Sequence, residues 1–194
     1  MGASVSSVVE DGELHRRACG GDRQAFAELI RRHHKQLFGL CRRITCDEYD
    51  AQDALQEALI LVWRSLSTFD GQSRVGSWLY RIVINAAIDE VRRRKRRAAP
   101  TDEVPDRPHE RSEDDGVAAR LDVDRALSRI PPPFRAVLVL RELYGLSYRE
   151  IAEVRELPID TVKTQIWRGR QALARELGAP ARAGRSAARS GASA

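Results

Sequence analysis

The chain has no run of apolar residues approaching the roughly 18 to 20 that a membrane span needs, and its N-terminus lacks the basic and apolar regions of a secretory signal. These two absences exclude a spanning helix and an export signal, and predict a soluble, cytoplasmic protein with no membrane insertion. Cysteine is scarce. Cys19, Cys41 and Cys46 are odd in number and show no two-residue spacing, which excludes a disulfide framework. His33, His34, Cys41 and Cys46 match no familiar zinc pattern, and His33 falls on an apolar helix seam, so no metal site is expected. A Walker loop, a His-Glu-x-x-His pattern and a nucleophile motif are missing as well. Neither a catalytic residue nor a cofactor is therefore predicted.

What the chain has is charge, unevenly spread. Its 33 Lys and Arg outweigh 28 Asp and Glu for a net +5, and Arg92 to Arg97 is an unbroken cationic run. The residues after Ala179 carry three arginines and no acid. Such asymmetry points to a polyanionic partner. Between the basic blocks, Thr101 to Asp115 hold seven acidic residues, two arginines and two prolines, with too little apolar surface to order themselves. We therefore expect an all-α protein of two small helical domains, residues 13–97 and 117–178, joined by a flexible acidic linker over residues 98–116. Residues 1–12 and the basic tail 179–194 are expected to be disordered. Each domain is small enough to bury only about 60% of its unfolded surface.

In the first domain, Asp22 is a good N-cap for a core helix whose apolar seam runs through Phe26, Leu29, Ile30, His33, Leu37, Leu40, Cys41 and Ile44. A second helix, about Asp50 to Ser67, buries Ala51, Ala54, Leu55, Ala58, Val62 and Leu66, and shows Asp53, Gln56, Glu57, Ile60 and Arg64 on its other face. Asp53 and Glu57, one turn apart, could in principle serve a metal or acid–base chemistry. No histidine accompanies them, and with Ile60 alongside they read better as a docking surface for a basic partner helix. A Gly- and Ser-containing loop, Phe69 to Gly76 with Ser73 and Arg74, leads into a third helix from about Ser77 to Arg97. Its polar side carries Asn85, Asp89, Arg92 and Arg93. Aromatics near a loop, an Asn and an arginine run suit a surface that holds unstacked bases and tracks phosphates. The competing reading puts both tryptophans in a plain core. Trp63 is assigned there, and Trp78 is left between the two.

The second domain ends in a helix-turn-helix pattern. Gly145 punctuates the preceding helix, Ser147 and Glu150 form a capping box, and Arg155 to Pro158 break the short helix that follows. Asp160 is placed to cap a second helix with a buried stripe of Ile159, Val162, Ile166, Gly169, Leu173 and Leu177. Gly169 is read as permitting close packing against the first helix of the pair. The opposite face shows Thr161, Thr164, Gln165, Arg168 and Arg175, flanked by Lys163 and Arg170. Such residues read base edges in the major groove, Arg and Lys on guanine and Gln on adenine.

Three blocks together resemble bacterial sigma factors: Asp50, Asp53, Ala54, Leu55, Gln56 and Glu57; Phe69 to Arg93 with Trp78, Leu79, Arg81, Ile82, Asn85 and Asp89; and Asp160 to Leu173. With two domains and no room for a middle one, the chain resembles the extracytoplasmic-function group of the sigma-70 family. The resemblance implies that Asp50, Asp53, Gln56 and Glu57 bind core RNA polymerase at the clamp helices of its largest catalytic subunit, with a second contact at the flap region. It implies that Phe69, Ser73, Arg74, Trp78, Asn85, Asp89, Arg92 and Arg93 bind and open the minus-10 element. Lys163, Thr164, Gln165, Arg168 and Arg170 would bind the minus-35 duplex. Promoter DNA, duplex and single-stranded, and an anti-sigma factor are the implied partners, and the linker would thread the polymerase's RNA exit path. Its 19 residues reach at most about 63 to 68 Å, enough to separate the domains by nearly two DNA turns of about 34 to 36 Å. Glu156 stands where the family often has Gly, Asp160 where a Gly usually precedes the Thr-Val pair, and Val75 and Gly76 where a bulkier apolar residue is common. A stand-alone helix-turn-helix regulator is the alternative function.

Overall fold

In a computed structural model that describes residues 5–69, 74–97 and 123–178, the described residues form eight α-helices. They are α1 (Val5–Cys19), α2 (Arg23–Thr45), α3 (Glu48–Ser65), α4 (Val75–Arg97), α5 (residues 123–129), α6 (Pro132–Glu142), α7 (Tyr148–Arg155) and α8 (Ile159–Glu176), with a 3-10 turn at Leu66–Thr68. The all-α expectation holds among the described residues. The linker 98–116 and tail 179–194 lie outside them. The N-terminal expectation is corrected: α1 is helical from Val5, inside the segment 1–12 expected to be disordered. What holds it is tertiary. Leu14, His15 and Ala18 are buried, His33 Nε2 lies 2.8 Å from Asp11 Oδ2, and Arg32 pairs with Glu10 at 2.7 Å.

Local signals set the helix ends. Asp22 accepts from the amides of Gln24 and Ala25 at 2.9 and 3.0 Å, satisfying two donors that an α-helix start leaves unpaired. Cys46 closes α2 in the left-handed region, φ 59°, and Asp47 immediately caps α3 through the Asp50 amide. Pro132, its φ preset for a helical first turn, opens α6. In the first lobe α2, α3 and α4 pack on one another through Leu29, Leu37, Leu40, Ala51, Val62, Leu79 and Ile84, all fully buried. In the second, α8 lies across α6 with Val162 and Ile166 inside. A Cβ at Gly169 would stand 3.1 Å from the Phe134 carbonyl oxygen, so this glycine is needed for the approach to α6, not to α7 as expected.

The lobes also pack on each other, α6 against α2 and α7 against α4, and one apolar cluster runs through both. Two units too small to bury much surface alone gain core by sharing it. Tyr144 enters the first lobe, its Oη donating to the Gln36 carbonyl at 2.8 Å, close above Gly39. Arg135, 3% exposed, crosses the seam to the Ile44 carbonyl at the end of α2 and holds the Ser128 and Ile130 carbonyls of its own lobe at 2.8 and 2.9 Å.

Candidate nucleic-acid interface

The helix-turn-helix is built as its capping signals predict. The Ser147 hydroxyl accepts the Glu150 amide at 3.2 Å, and the Glu150 carboxylate accepts the Ser147 amide at 2.8 Å. That reciprocal bond holds the Glu150 carboxyl below its ordinary pKa. α7 ends on Glu156 at φ 51°, a conformation glycine adopts without strain, so a Glu here carries a backbone cost that Gly would not. α8 starts after Pro158, and Asp160 is not its cap: it sits inside the first turn, where a carboxylate favours the helix dipole, and pairs with Lys163 at 2.9 Å.

The solvent face of α8 carries Thr164, Trp167, Arg168 and Arg175 in line. Thr164 Oγ1 donates back to the Asp160 carbonyl at 2.9 Å, and the Arg168 guanidinium sits 5.8 Å over the Phe134 ring. Gln165 lies at the margin of the buried stripe, and its buried Oε1 accepts no hydrogen bond among the described residues. Arg170 departs from the expected face: it is held to Glu142 of α6 at 2.6 Å, which turns it toward the scaffold. Sequence reasoning passed over Trp167, 56% exposed between Thr164 and Arg168. A large apolar side chain at the wrong phase for the buried stripe was the available signal.

In the first lobe, α4 presents Asn85, Asp89, Arg92 and Arg93 outward, with Arg74 exposed before it; Ser73 lies outside the described residues. Trp78 is corrected. It is 3% exposed, packed against half-buried Phe69 at 5.2 Å and edge-on to His15 at 5.7 Å, so it offers no face to a base. Trp63, expected in the core, is instead 42% exposed and edge-on to Phe26. The arginine run is internally engaged. Arg92 pairs with Asp89, Arg93 and Arg97 with nearly buried Glu90, and Arg94 with Asp47 and Asp50. Asp50, expected on the docking face, therefore turns inward to tie α3 to α4.

Asp53, Gln56 and Glu57 do share an exposed face of α3, beside exposed Ile60 and Trp63. An open groove of roughly 700 Å³ runs along it, walled by His34, Phe38, Leu55, Leu59, Ile60 and Trp63. Cys41 is fully buried, and burial pushes its thiol up to about 12, which makes it unreactive at neutral pH. No helix among the described residues is long and apolar enough to cross a membrane, and no group of three or more His, Cys, Asp or Glu there could hold a metal.

Residues 29–97 match the family described as Sigma-70 region 2, and residues 120–173 match Sigma-70, region 4. A helical region 2 lobe followed by a helix-turn-helix region 4 lobe defines the sigma-70 class. Among its relatives are the ECF RNA polymerase sigma factor SigM of Mycobacterium tuberculosis, 39% identical over 87% of this chain and 85% of the relative, and the ECF RNA polymerase sigma-E factor of Escherichia coli, 32% identical over 87% and 95%. The solved structure of CnrH in complex with the cytosolic domain of CnrY is similar at a TM-score of 0.64 and 27% identity, covering 87% of this chain and 97% of that one. The chain belongs to the extracytoplasmic-function group of the sigma-70 family.

Proposed function

We infer that the chain is an alternative, signal-responsive sigma factor, a promoter-specificity subunit that binds core RNA polymerase, reads the minus-35 and minus-10 elements and promotes strand opening. The observation that carries this reading is that two lobes of one chain expose two polar, basic helix faces of different character, on α8 and on α4. The α8 face, with Thr164, Arg168 and Lys163 around exposed Trp167, has the shape and donors of a duplex reader. The α4 face, with Asn85 and its arginines, suits a separated strand. Exposed Asp53 and Glu57 lie on α3 beside Gln56 and Ile60, which line the apolar groove; acid next to apolar surface fits a basic amphipathic helix of the polymerase clamp, while the second lobe would meet the flap region. The CnrH relative was solved with the cytosolic domain of CnrY, which supports a protein partner of anti-sigma type for this chain too. Bond-making is left to polymerase, in the cytoplasm.

A stand-alone regulator would have no use for an apolar groove on α3 with Asp53 and Glu57 exposed beside it. Run-off transcription with core polymerase on a genomic promoter library tests the reading, with defined start sites expected only when the protein is added. Transcripts no different from core alone, together with a footprint of the solitary protein on a palindromic duplex, would establish the stand-alone regulator instead.

A further inference from the structure

α8 carries one exposed residue ahead of the set assigned to the minus-35 duplex. Asp160, Thr164 and Arg168 recur every four residues, with Lys163 and Trp167 beside them, so all of them share one exposed face with Asp160 at its leading, N-terminal end. The Asp160 side chain is 86% exposed, and its Oδ1 lies 2.9 Å from Lys163 Nζ. It does not cap α8, and an ion pair this open adds little to stability. We propose that Asp160 and Lys163 act as one reading unit that selects a C·G base pair in the minus-35 duplex, the carboxylate accepting from cytosine N4 and the ammonium donating to guanine O6 and N7. This rests on the initiation-factor reading and gives its upstream face an acidic specificity-determining residue.

The match is one of spacing and order. In a Watson–Crick C·G pair cytosine N4 donates to guanine O6, so the donor and acceptor offered to the major groove stand about 2.9 to 3.0 Å apart. The pair on α8 offers an acceptor and a donor at the same separation, 2.9 Å. Laid edge to edge, each group meets its complement while the two ions keep their own contact: a carboxylate oxygen accepts twice, and the ammonium has two further hydrogens for O6 and N7. Other base pairs fail at one end. An A·T pair sets the acceptor adenine N7 beside the carboxylate and the thymine methyl beside the ammonium, and a reversed G·C pair sets acceptor against carboxylate. The same carboxylate repels phosphate, so a site without a donor at that position meets an acid in the groove with only Lys163 to offset it. The preference is built from attraction to one base pair and repulsion from the rest. Thr164 Oγ1 donates to the Asp160 carbonyl at 2.9 Å, tying the next turn of the reading face to the one that carries the carboxylate.

Asp160→Ala and Lys163→Ala leave the buried stripe of α8 untouched, and circular dichroism checks that each variant folds. The full chain is assembled with core polymerase on a promoter library randomised over the upstream element, each member carrying a barcode in its transcript. The parent should favour C·G at one position by about tenfold over the other base pairs, the order of a good base contact. Both variants should lose that preference at that same position and keep the preferences elsewhere. Unchanged preferences in Asp160→Ala, relaxation at different positions in the two variants, or a rise in output from all sequences alike in Asp160→Ala would overturn the proposal. Selection of random duplexes by the free full chain at low salt separates this from the function it rests on. A C·G position recovered there and lost in both variants, with no transcripts above core alone, rejects the initiation factor and keeps the Asp160–Lys163 reading.

Discussion

Replacing Arg135 with methionine removes a buried cation that stitches the lobes, and its consequence follows from what the guanidinium touches. It donates to the carbonyls of Ile44, Ser128 and Ile130, and its Nη1 lies 3.1 Å from Cys46 Sγ. A hydrogen bond from a charged donor contributes about 1.5 to 3 kcal/mol, and each carbonyl abandoned in the interior costs about 1 to 3 kcal/mol. Relief from burying a cation, worth several kcal/mol, offsets much of this. Burial already lowers the Arg135 pKa, which shows the direction of that penalty. The net expectation for Arg135→Met is a loss of about 2 to 4 kcal/mol. For a chain of this size each kcal/mol moves the melting temperature by about 2 to 4 °C, so Tm should fall by roughly 4 to 16 °C. Urea unfolding followed by tryptophan fluorescence and circular dichroism measures it. Arg135→Lys, which keeps the charge but not the fork, should recover only part of the loss. A methionine variant within about 0.5 kcal/mol of the parent, the range of an ordinary surface change, would refute the view that this residue holds the seam.

Charge reversal at Asp53 and Glu57 together should abolish co-purification with core polymerase while leaving the circular dichroism melt unchanged; undiminished co-purification would remove both from the docking face. Arg168→Ala should weaken discrimination of matched from mismatched upstream elements by about 1 to 3 kcal/mol, and equal loss on both would make Arg168 a phosphate contact. His15 is buried, which lowers its pKa more than the Leu66 carbonyl raises it. Its folded pKa therefore lies below the unfolded value of about 6.5, so its contribution to stability is complete above about pH 6.5 and is lost as pH falls toward the folded pKa. Melting temperature should drop on acidification, and His15→Gln should flatten that drop; an unchanged slope would mean that another group titrates.

Elements with their own local signals were legible in the sequence. The Asp22 cap and the Ser147–Glu150 box lie where their spacing places them, and α2, α3 and α4 begin within two residues of the expected starts. The exposed placement of Asp53, Gln56, Glu57, Asn85 and Arg168 follows from helical phase alone. What was missed depends on partners distant in the chain. α1 has only a thin apolar side and stands because α2 covers Leu14 and Ala18. Trp78, left between core and surface by the sequence, is buried because His15 and Phe69 roof it, and Trp63, expected in the core, is exposed. Asp50 meets Arg94, and Tyr144 meets Gln36, across stretches of sequence that periodicity does not join.

The arginine run shows how those distant partners change a functional reading. As sequence, Arg92 to Arg97 is six positive charges; with Asp47, Asp50, Asp89 and Glu90 paired to it, the cluster is six minus four, or +2. Its long-range pull on a phosphate backbone is correspondingly small, which fits a factor that binds DNA weakly until polymerase holds it. The pairs are not equivalent. Arg92 and Asp89 are both well exposed, and an exposed pair is worth about 0 to 1 kcal/mol, so a phosphate can take the place of Asp89 at little cost. Glu90 has a side chain only 3% exposed, held by Arg93 and Arg97 together. Removing its partners would strand a buried carboxylate at about 3 to 5 kcal/mol. Of the two arginines expected at the minus-10 element, Arg92 is therefore the one positioned to exchange its carboxylate for DNA, while Arg93 keeps the end of α4 intact so that Arg92 and Asn85 stay in register.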